Sequence, residues 1–371
     1  MKFRFDLNLI GITVSTVLLG ICMYISCNDI QNALPDKCNK RPDVYYFEPF
    51  SQINEHISSL ISTSKERVLL FSHFSNETIF KEFYYDAFKS LSNKNVKISI
   101  ITEQNKNLMN ILKEVGISNI TNGNVGAGFV VIDSKAIVFD YLLMGNFDND
   151  NQKQKAYYYE FDDCETGVDD LTNFFNYQWR LLNNNNYKIA PISSHSRTSA
   201  VKPLKISNGN SSLFFLSGFK GSAPPISVSI FDYLPLVISD TDDNISIFVN
   251  DVIEPSTNKF SLYSILNRFL IISDGSNQVS IRFLLPNVES SDKQRWLKSF
   301  QAYSNSLIRL HDGKIKANII KVGRQIIFLS HKIDDDYFAK LPGFHLCTND
   351  KEISKKADNF FNEVWANSVP F

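Results

Sequence analysis

Asn173-Phe174-Phe175-Asn176-Tyr177-Gln178-Trp179 (NFFNYQW) returns near the carboxyl end as Asn359-Phe360-Phe361-Asn362-Glu363-Val364-Trp365 (NFFNEVW), with five of seven positions identical. In each copy Phe, Phe and Trp are spaced for one face of an α-helix, behind a charged doublet, Asp169-Asp170 or Lys355-Lys356. Each copy therefore predicts an amphipathic helix that closes a domain. Two unrelated core helices would share no wider context, and these two do. Val68-Leu69-Leu70-Phe71 reads as a strand, Phe80 to Leu91 as a helix and Val96 to Ile101 as a second strand. In the second half Asn244 to Val249, Phe260 to Phe269 and Val279 to Leu285 repeat that order. A hairpin follows in each half: Gly128 to Asp133 with Ala136 to Phe139, then Asn318 to Ile320 with Gln325 to Leu329.

Strands alternating with helices imply α/β halves, each a mixed sheet covered by helices, and the repeat implies two of them related by a pseudo-twofold. Length agrees, since 371 residues make roughly two to three domains of about 150 residues. Asn183 to Asn186 and the polar run Ser193 to Ser199 have little to bury, which sets the join near residue 200. The expected domains are residues 38–200 and 201–371.

Hydrophobic residues make up 43% and charged residues 21%, which excludes a disordered or collagen-like chain. A net charge of −1 supplies no overall basic field for a polyanion, so nucleic acid is not an expected partner. The cysteines lack C-x-x-C spacing, which leaves a zinc ribbon or thioredoxin-type site without support. No cofactor is expected.

Behind Lys2 and Arg4, Leu9 to Cys27 runs about 19 residues without a charge, nearly enough for a helix to cross a 30 Å hydrocarbon core. The flanking charges leave residues 1–8 in the cytosol and make 9–27 a signal anchor, a single-pass type II arrangement. A cleaved signal peptide and secretion is the alternative, though Tyr24-Ile25-Ser26 is a poor cleavage site. Either way the bulk faces an oxidising compartment: the endoplasmic reticulum or endolysosomal lumen, or the cell surface. There Cys38 and Cys164 are the possible disulfide, and Cys347 has no obvious partner. Sequons at Asn76, Asn119, Asn210 and Asn244 permit N-glycosylation without requiring it.

The duplicated pattern resembles the phospholipase D superfamily, and within it the type II membrane branch of family members three and four. The resemblance runs from Asp43 to Pro49 through Ile61 to Glu66 and Ser72-His73-Phe74. It continues through Leu213 to Ser217 with Ala223-Pro224-Pro225, and ends at Trp365 to Phe371. It rests on order and pattern more than on a diagnostic signature. The family signature, H-x-K-x4-D once per half, implies two histidines meeting across the pseudo-twofold. One forms a phosphoenzyme and the other protonates the leaving oxygen, while the lysines neutralise charge.

Both copies are degenerate here. The first hairpin sets Gly126, Gly128 and Asp133 at the His, Lys and Asp places, and the second sets Lys316, Asn318 and Gly323. The Gly and Asn that follow the motif are also replaced, by Asp140 and Leu143 and by Ser330 and Ile333. None of His56, His73, His195, His311, His331 and His345 has Lys two residues on and an acid seven on. Loss of a nucleophile costs on the order of 10⁴ to 10⁶ in turnover, so the phosphohistidine route is expected to be closed. The family resemblance then implies a lumenal pseudoenzyme, a membrane glycoprotein that binds lipid head groups or a protein, or forms a homo- or hetero-oligomer with an active relative.

The rival expectation is a divergent phosphodiesterase, exonuclease or phospholipase using Lys316, Lys321 or Arg324 for phosphate and His311 or His331 as acid or base. Lys316 and Lys321 read more simply as solvated residues flanking a turn. His331 lies beside the acidic run Asp334-Asp335-Asp336, which marks a surface loop. Asp148-Asn149-Asp150-Asn151 fails as a calcium loop, because Lys153 and Tyr159 stand where Gly and Glu are needed. Tyr157-Tyr158-Tyr159 reads as a partly buried strand and not as a stacking platform for bases.

Overall fold

The computed structural model describes residues 43–74, 77–92, 94–103, 105–123, 125–139, 143, 155–162, 165–183, 213–217, 230–239, 244–249, 267, 270, 280–287, 297–312, 318–329 and 344–371. The segment 9–27, Cys38, Asn76, Cys164, the join near residue 200, Asn210, Lys316 and His331 lie outside these residues. Among the described residues no helix is long and apolar enough to cross a membrane.

In the first half β1 (Asp43–Pro49) leads into α1 (Phe50–Ser62) and β2 (Arg67–Phe71). A helical run follows, α2, made of Glu77–Ile79, a π-helical turn Phe80–Tyr84 and Tyr85–Ser92. Then come β3 (Lys97–Thr102), α3 (Lys106–Glu114), β4 (Ile120–Asn122), β5 (Gly128–Ile132), β6 (Lys135–Phe139), β7 (Lys155–Asp162) and α4 (Glu165–Asn183). The second half adds β8 (Leu213–Ser217), α5 (Ile230–Ser239), β9 (Ile245–Phe248), β10 (Ile281–Pro286), β11 (Ser306–His311), β12 (Ile319–Val322), β13 (Gln325–Leu329), β14 (Phe344–Thr348), α6 (Lys351–Asn367) and β15 (Val369–Pro370).

The strand orders carry the duplication. The first sheet runs β1-β7-β6-β5-β2-β3-β4, and the second, taken from the same edge, runs β8-β14-β13-β12-β9-β10-β11, with β15 added beyond β11. In each sheet one block is parallel (β2-β3-β4 and β9-β10-β11) and the rest pairs antiparallel. Register matches too: Phe71 faces Phe129 as Phe248 faces Ile319, and Ile132 faces Lys135 as Val322 faces Gln325.

Period-two alternation in the strands and four-residue spacing in the helices divide the apolar residues among separate cores. On α1, Ile53, Ile57 and Ile61 lie one turn apart and pack with Phe80, Phe88 and Leu112 on the outer face of the first sheet. The outer face of the second sheet buries Leu234, Phe283 and Phe300. A third core belongs to both halves. It joins Phe71, Phe129, Phe174 and Phe175 to Phe248, Phe328, Phe344 and Phe361, and residues Cys38–Phe371 form one compact unit. Caps fix two of the helices: the Asn105 side chain accepts from the Asn107 and Leu108 N–H groups, and Asp350 accepts from those of Glu352 and Ile353.

Candidate functional site: the strand ends at the shared core

The expected register of the degenerate signature can be tested at the two hairpin turns. Asp133 and Gly323 each open the two-residue turn of their hairpin, and both have left-handed backbone, φ 53° and 56°. The positions correspond, although their chemistry differs. Glycine enters that region without strain, and Asp is one of the few other residues that tolerates it. The Asp133 carboxylate has a second role, accepting from the Ser64 hydroxyl and from the N–H groups of Lys65, Glu66 and Arg67, each at 2.9 Å. Burial pushes its pKa up, but the Arg67, Lys65 and Glu66 N–H groups and the Ser64 hydroxyl outweigh that and hold the carboxyl below its ordinary range. The surviving acid thus clamps the β5–β6 turn to the loop that enters β2.

At the other end of β5, Gly128 stands opposite Phe139. A Cβ on Gly128 would lie 2.6 Å from the Phe139 ring and 2.9 Å from its carbonyl oxygen. The second contact is with backbone, so a lysine cannot enter by a rotamer change alone. Phe139 occupies the volume that a side chain at residue 128 would need, on the outer-core side of the sheet, and Phe139 itself is fully buried. Asn318 holds the corresponding place in the second half, buried, with its carbonyl accepting from the Leu329 N–H at 2.8 Å.

The start of β5 approaches the start of β14 across the shared core. Phe129, next to Gly128, lies 5.6 Å from Phe344 between ring centroids, and Phe344 precedes His345, which pairs with Leu329 and hence borders Asn318. Val125, Ala127 and Ile319 complete this wall. Gly126, between Val125 and Ala127 in the chain, is buried.

Two imidazoles stand at the same strand ends, outside the signature positions. His73 follows β2, and its Nδ1 lies 2.8 Å from Glu103 Oε2 just past β3. His311 ends β11 and stacks on Phe248, with ring centroids 4.9 Å apart and planes 19° from parallel. His311 is a candidate acid or base by sequence, whereas the His73–Glu103 pair is invisible there, because strand register, not spacing along the chain, brings its two residues together. His345 is fully buried on the opposite side of β14 from Phe344.

Lys321 corrects an expectation. Its sequence context reads as a solvated position beside a turn, yet it projects from β12 with its side chain 15% exposed. Its Nζ lies 3.2 Å from Asp358 Oδ1 and donates to the Gly323 carbonyl, so it ties β12 to α6. Arg324 is exposed at the turn. Tyr158 and Tyr159 are buried in β7, as the strand reading has it. Cys347 is a buried free thiol 3.8 Å from the Tyr233 hydroxyl, and burial pushes its pKa up to about 12, which makes it an inert core residue. Asn119 and Asn244 are both exposed, with the Asn119 amide donating to the Ser99 hydroxyl. No group of metal-binding side chains occurs among the described residues.

No protein-family model matches the chain, and no curated protein matches it. Solved structures do. The chain is similar to the phosphatidylserine synthase of Haemophilus influenzae Rd KW20, at 12% identity and a TM-score of 0.63, over 91% of this chain and 88% of that one. It also matches NucT from Helicobacter pylori (15% identity, TM-score 0.33) and the phospholipase D family member Nuc from Salmonella typhimurium (10%, 0.32). Each of these covers 43% of this chain and 98% of its own. The likeness to the synthase over nearly the whole of both chains shows that this chain shares the synthase's fold.

Proposed function

We propose that this chain is a phospholipase D-like protein in which the two-histidine phosphoryl transfer is closed, and that it works by binding. The observation that carries this is the equivalence of the two hairpin turns, which sets Gly126 and Gly128 in one half and Asn318 in the other at the places where the resemblance expects histidine or lysine, with no room for a side chain at residue 128. A restored histidine at residue 126 alone would still lack the cation that neutralises the developing phosphorane. Lys321, the nearest alternative cation on the second hairpin, is held by Asp358.

The anchored, lumen-facing topology and the glycosylation expected from the sequence belong to the same proposal, as does a homo- or hetero-oligomer with an active relative. Sequence pattern supports them through the apolar run Leu9 to Cys27 and the sequons.

The test uses the full chain, purified in detergent. Incubated with phosphatidylcholine vesicles and a primary alcohol, it should yield no exchanged phosphatidyl alcohol and no acid-labile phosphohistidine. Phosphohistidine reports the covalent intermediate directly, and alcohol exchange reports its partition to an alcohol acceptor. Cross-linking before membrane solubilisation should recover the chain in an oligomer of defined mass. Alcohol exchange above the level of a heat-denatured control would sink the proposal.

A further inference from the structure

The two sheets share one strand order except at a single edge. Among the described residues the first sheet ends at β4, three residues long, whereas in the second β15 continues the sheet beyond β11, six residues long. An edge strand of that length presents a row of unpaired N–H and C=O groups to any other strand, and three residues present few. Residues 369–371 occupy the row. Val369 pairs antiparallel with Leu310 and Pro370 with Arg309, and the Phe371 N–H donates to the Ile308 carbonyl at 3.1 Å. The Phe371 ring packs against the outer core of the second half, and its carbonyl accepts from the Gln301 side chain at 2.8 Å. Arg309 fixes the approach, donating to the Trp365 and Ser368 carbonyls where α6 ends. The far side of this strap is a poor template, since Pro370 has no N–H to give and two residues make no ladder.

We propose that residues 369–371 are an edge guard, and that the partner they exclude is β11 of a second copy of this chain. A strand related to its own copy by a twofold axis runs antiparallel to it, which is the direction in which β11 already accepts β15. The strap covers Ile308 to Leu310 and leaves Leu307, 49% exposed, uncovered beside them. Pairing two β11 strands withdraws that apolar side chain from water. Arg309 does not oppose the pairing by repulsion, because its guanidinium is bound to the α6 carbonyls and lies 5.4 Å from the Trp365 ring centre. With strands about 4.8 Å apart and a register shift of up to about four residues, the two Leu307 Cα atoms would stand about 5–15 Å from each other.

The inference concerns self-pairing at one edge and does not rest on the binding proposal. Pyrene carried on Leu307→Cys reads the distance, because two pyrenes this close emit as an excimer. The same label on Leu182→Cys, exposed on α4 of the first half, reads unspecific clumping, and the parent chain labelled alike gives the background of its own cysteines. In detergent the full chain should show no excimer at either site. Deleting residues 369–371 should produce excimer emission at residue 307 alone, rising with protein concentration as bimolecular association requires. Gln301→Ala combined with Phe371→Ser loosens the same strap at full length, and it is read in place of the deletion if the deletion loses the parent's circular dichroism. It should give the same site-selective emission. Excimer at residue 307 in the full chain, at both labels in the folded variant, or at neither, overturns the inference. An oligomer recovered by cross-linking the intact chain bears on the binding proposal alone, as long as residue 307 stays free of excimer.

Discussion

Under α4 the first sheet sets Ser99, Leu69 and Val131 side by side, while under α6 the second sets Arg282, Ser246 and Lys321 at the corresponding places. The first half closes with hydrocarbon: Leu171, Phe174 and Phe175 of α4 enter the shared core, with Phe174 edge-on to both Phe71 and Phe344. The second half closes with a polar lattice. Arg282 donates to Ser246 Oγ at 2.9 Å and to Asn362 Oδ1 at 3.0 Å, and its guanidinium lies 4.8 Å from the Phe361 ring centre. Arg309 donates to the Trp365 and Ser368 carbonyls, capping the end of α6. Beside Lys321 a cavity of about 10 Å³, lined by Ser246, Phe248, Ile319 and Phe360, has room for one water. Both helices thus bury apolar area in the shared core, and α6 adds charged hydrogen bonds to the sheet beneath it. Area tolerates salt and pH, and directed ionic bonds do not.

The outer faces differ in the same way with the halves reversed. Glu160, which pairs with Ile137, takes the place that Cys347, pairing with Ile327, takes in the second sheet. Glu160 is bound by His56 of α1 at 2.8 Å and faces Lys135 at 3.6 Å. The His56 hydrogen bond first, and Lys135 after it, lower the Glu160 pKa against the opposing effect of burial. Cys347 instead meets the Tyr233 hydroxyl of α5 and Gln325, a neutral version of the same three-element junction.

The sharpest break of the comparison is in the shared core. Phe174→Ala should destabilise by about 3–5 kcal/mol, because a fully buried ring touching both sheets leaves a cavity that neither can fill. Phe360→Ala, at the equivalent but partly exposed position, should cost about 1.5–3 kcal/mol. Urea midpoints at constant slope measure both. If the two costs are equal, the claim that the halves are closed differently is wrong.

Next comes Gly128→Ala, expected to cost about 1–3 kcal/mol through overpacking against Phe139. Combining it with Phe139→Ala should recover only part of that loss, since the Phe139 carbonyl stays in the way. Thermal melts of the two variants decide the point, and a Gly128→Ala chain as stable as the parent would show that the lysine slot is open.

Asp133→Asn should cost about 1–2 kcal/mol at neutral pH by weakening charge-assisted bonds to the three backbone N–H groups. The folded pKa lies below the ordinary 3.8, so this stabilisation is fully present above that value and disappears as pH falls through the lower folded value. The gap between parent and variant in a pH series of unfolding midpoints should therefore close only on the acid side of about 4. No clamp of this kind forms from Gly323.

The smallest effect is expected at Asp358→Asn, which frees Lys321: about 0.3–1 kcal/mol in dilute buffer, vanishing at 1 M salt. Hydrogen exchange along α6 should quicken in the variant while α4 is unchanged. Asp170 supplies a contrast within α4 itself. Burial, then the neighbouring Asp169, raises its pKa to about 6, so the folded state binds the proton more tightly and stability rises as pH falls from 7 toward 4.

The repeated helix, the strand–helix–strand order and the paired hairpins were legible because each rests on local periodicity, and chance seldom repeats several such patterns in one order. The equivalence of the two hairpins was legible for the same reason: Asp133 and Gly323 do open equivalent turns. Pairings that join distant segments were not. Ser64 meets Asp133, His73 meets Glu103 and Lys321 meets Asp358 through register and crossover, quantities that have no counterpart in spacing along one chain. The sequence alone could say that lysine is missing at residue 128, because identity is written there. Whether the gap stands open or is filled depended on which way Phe139 turns from the neighbouring strand, and side-chain direction across a sheet is decided only when the strands have paired.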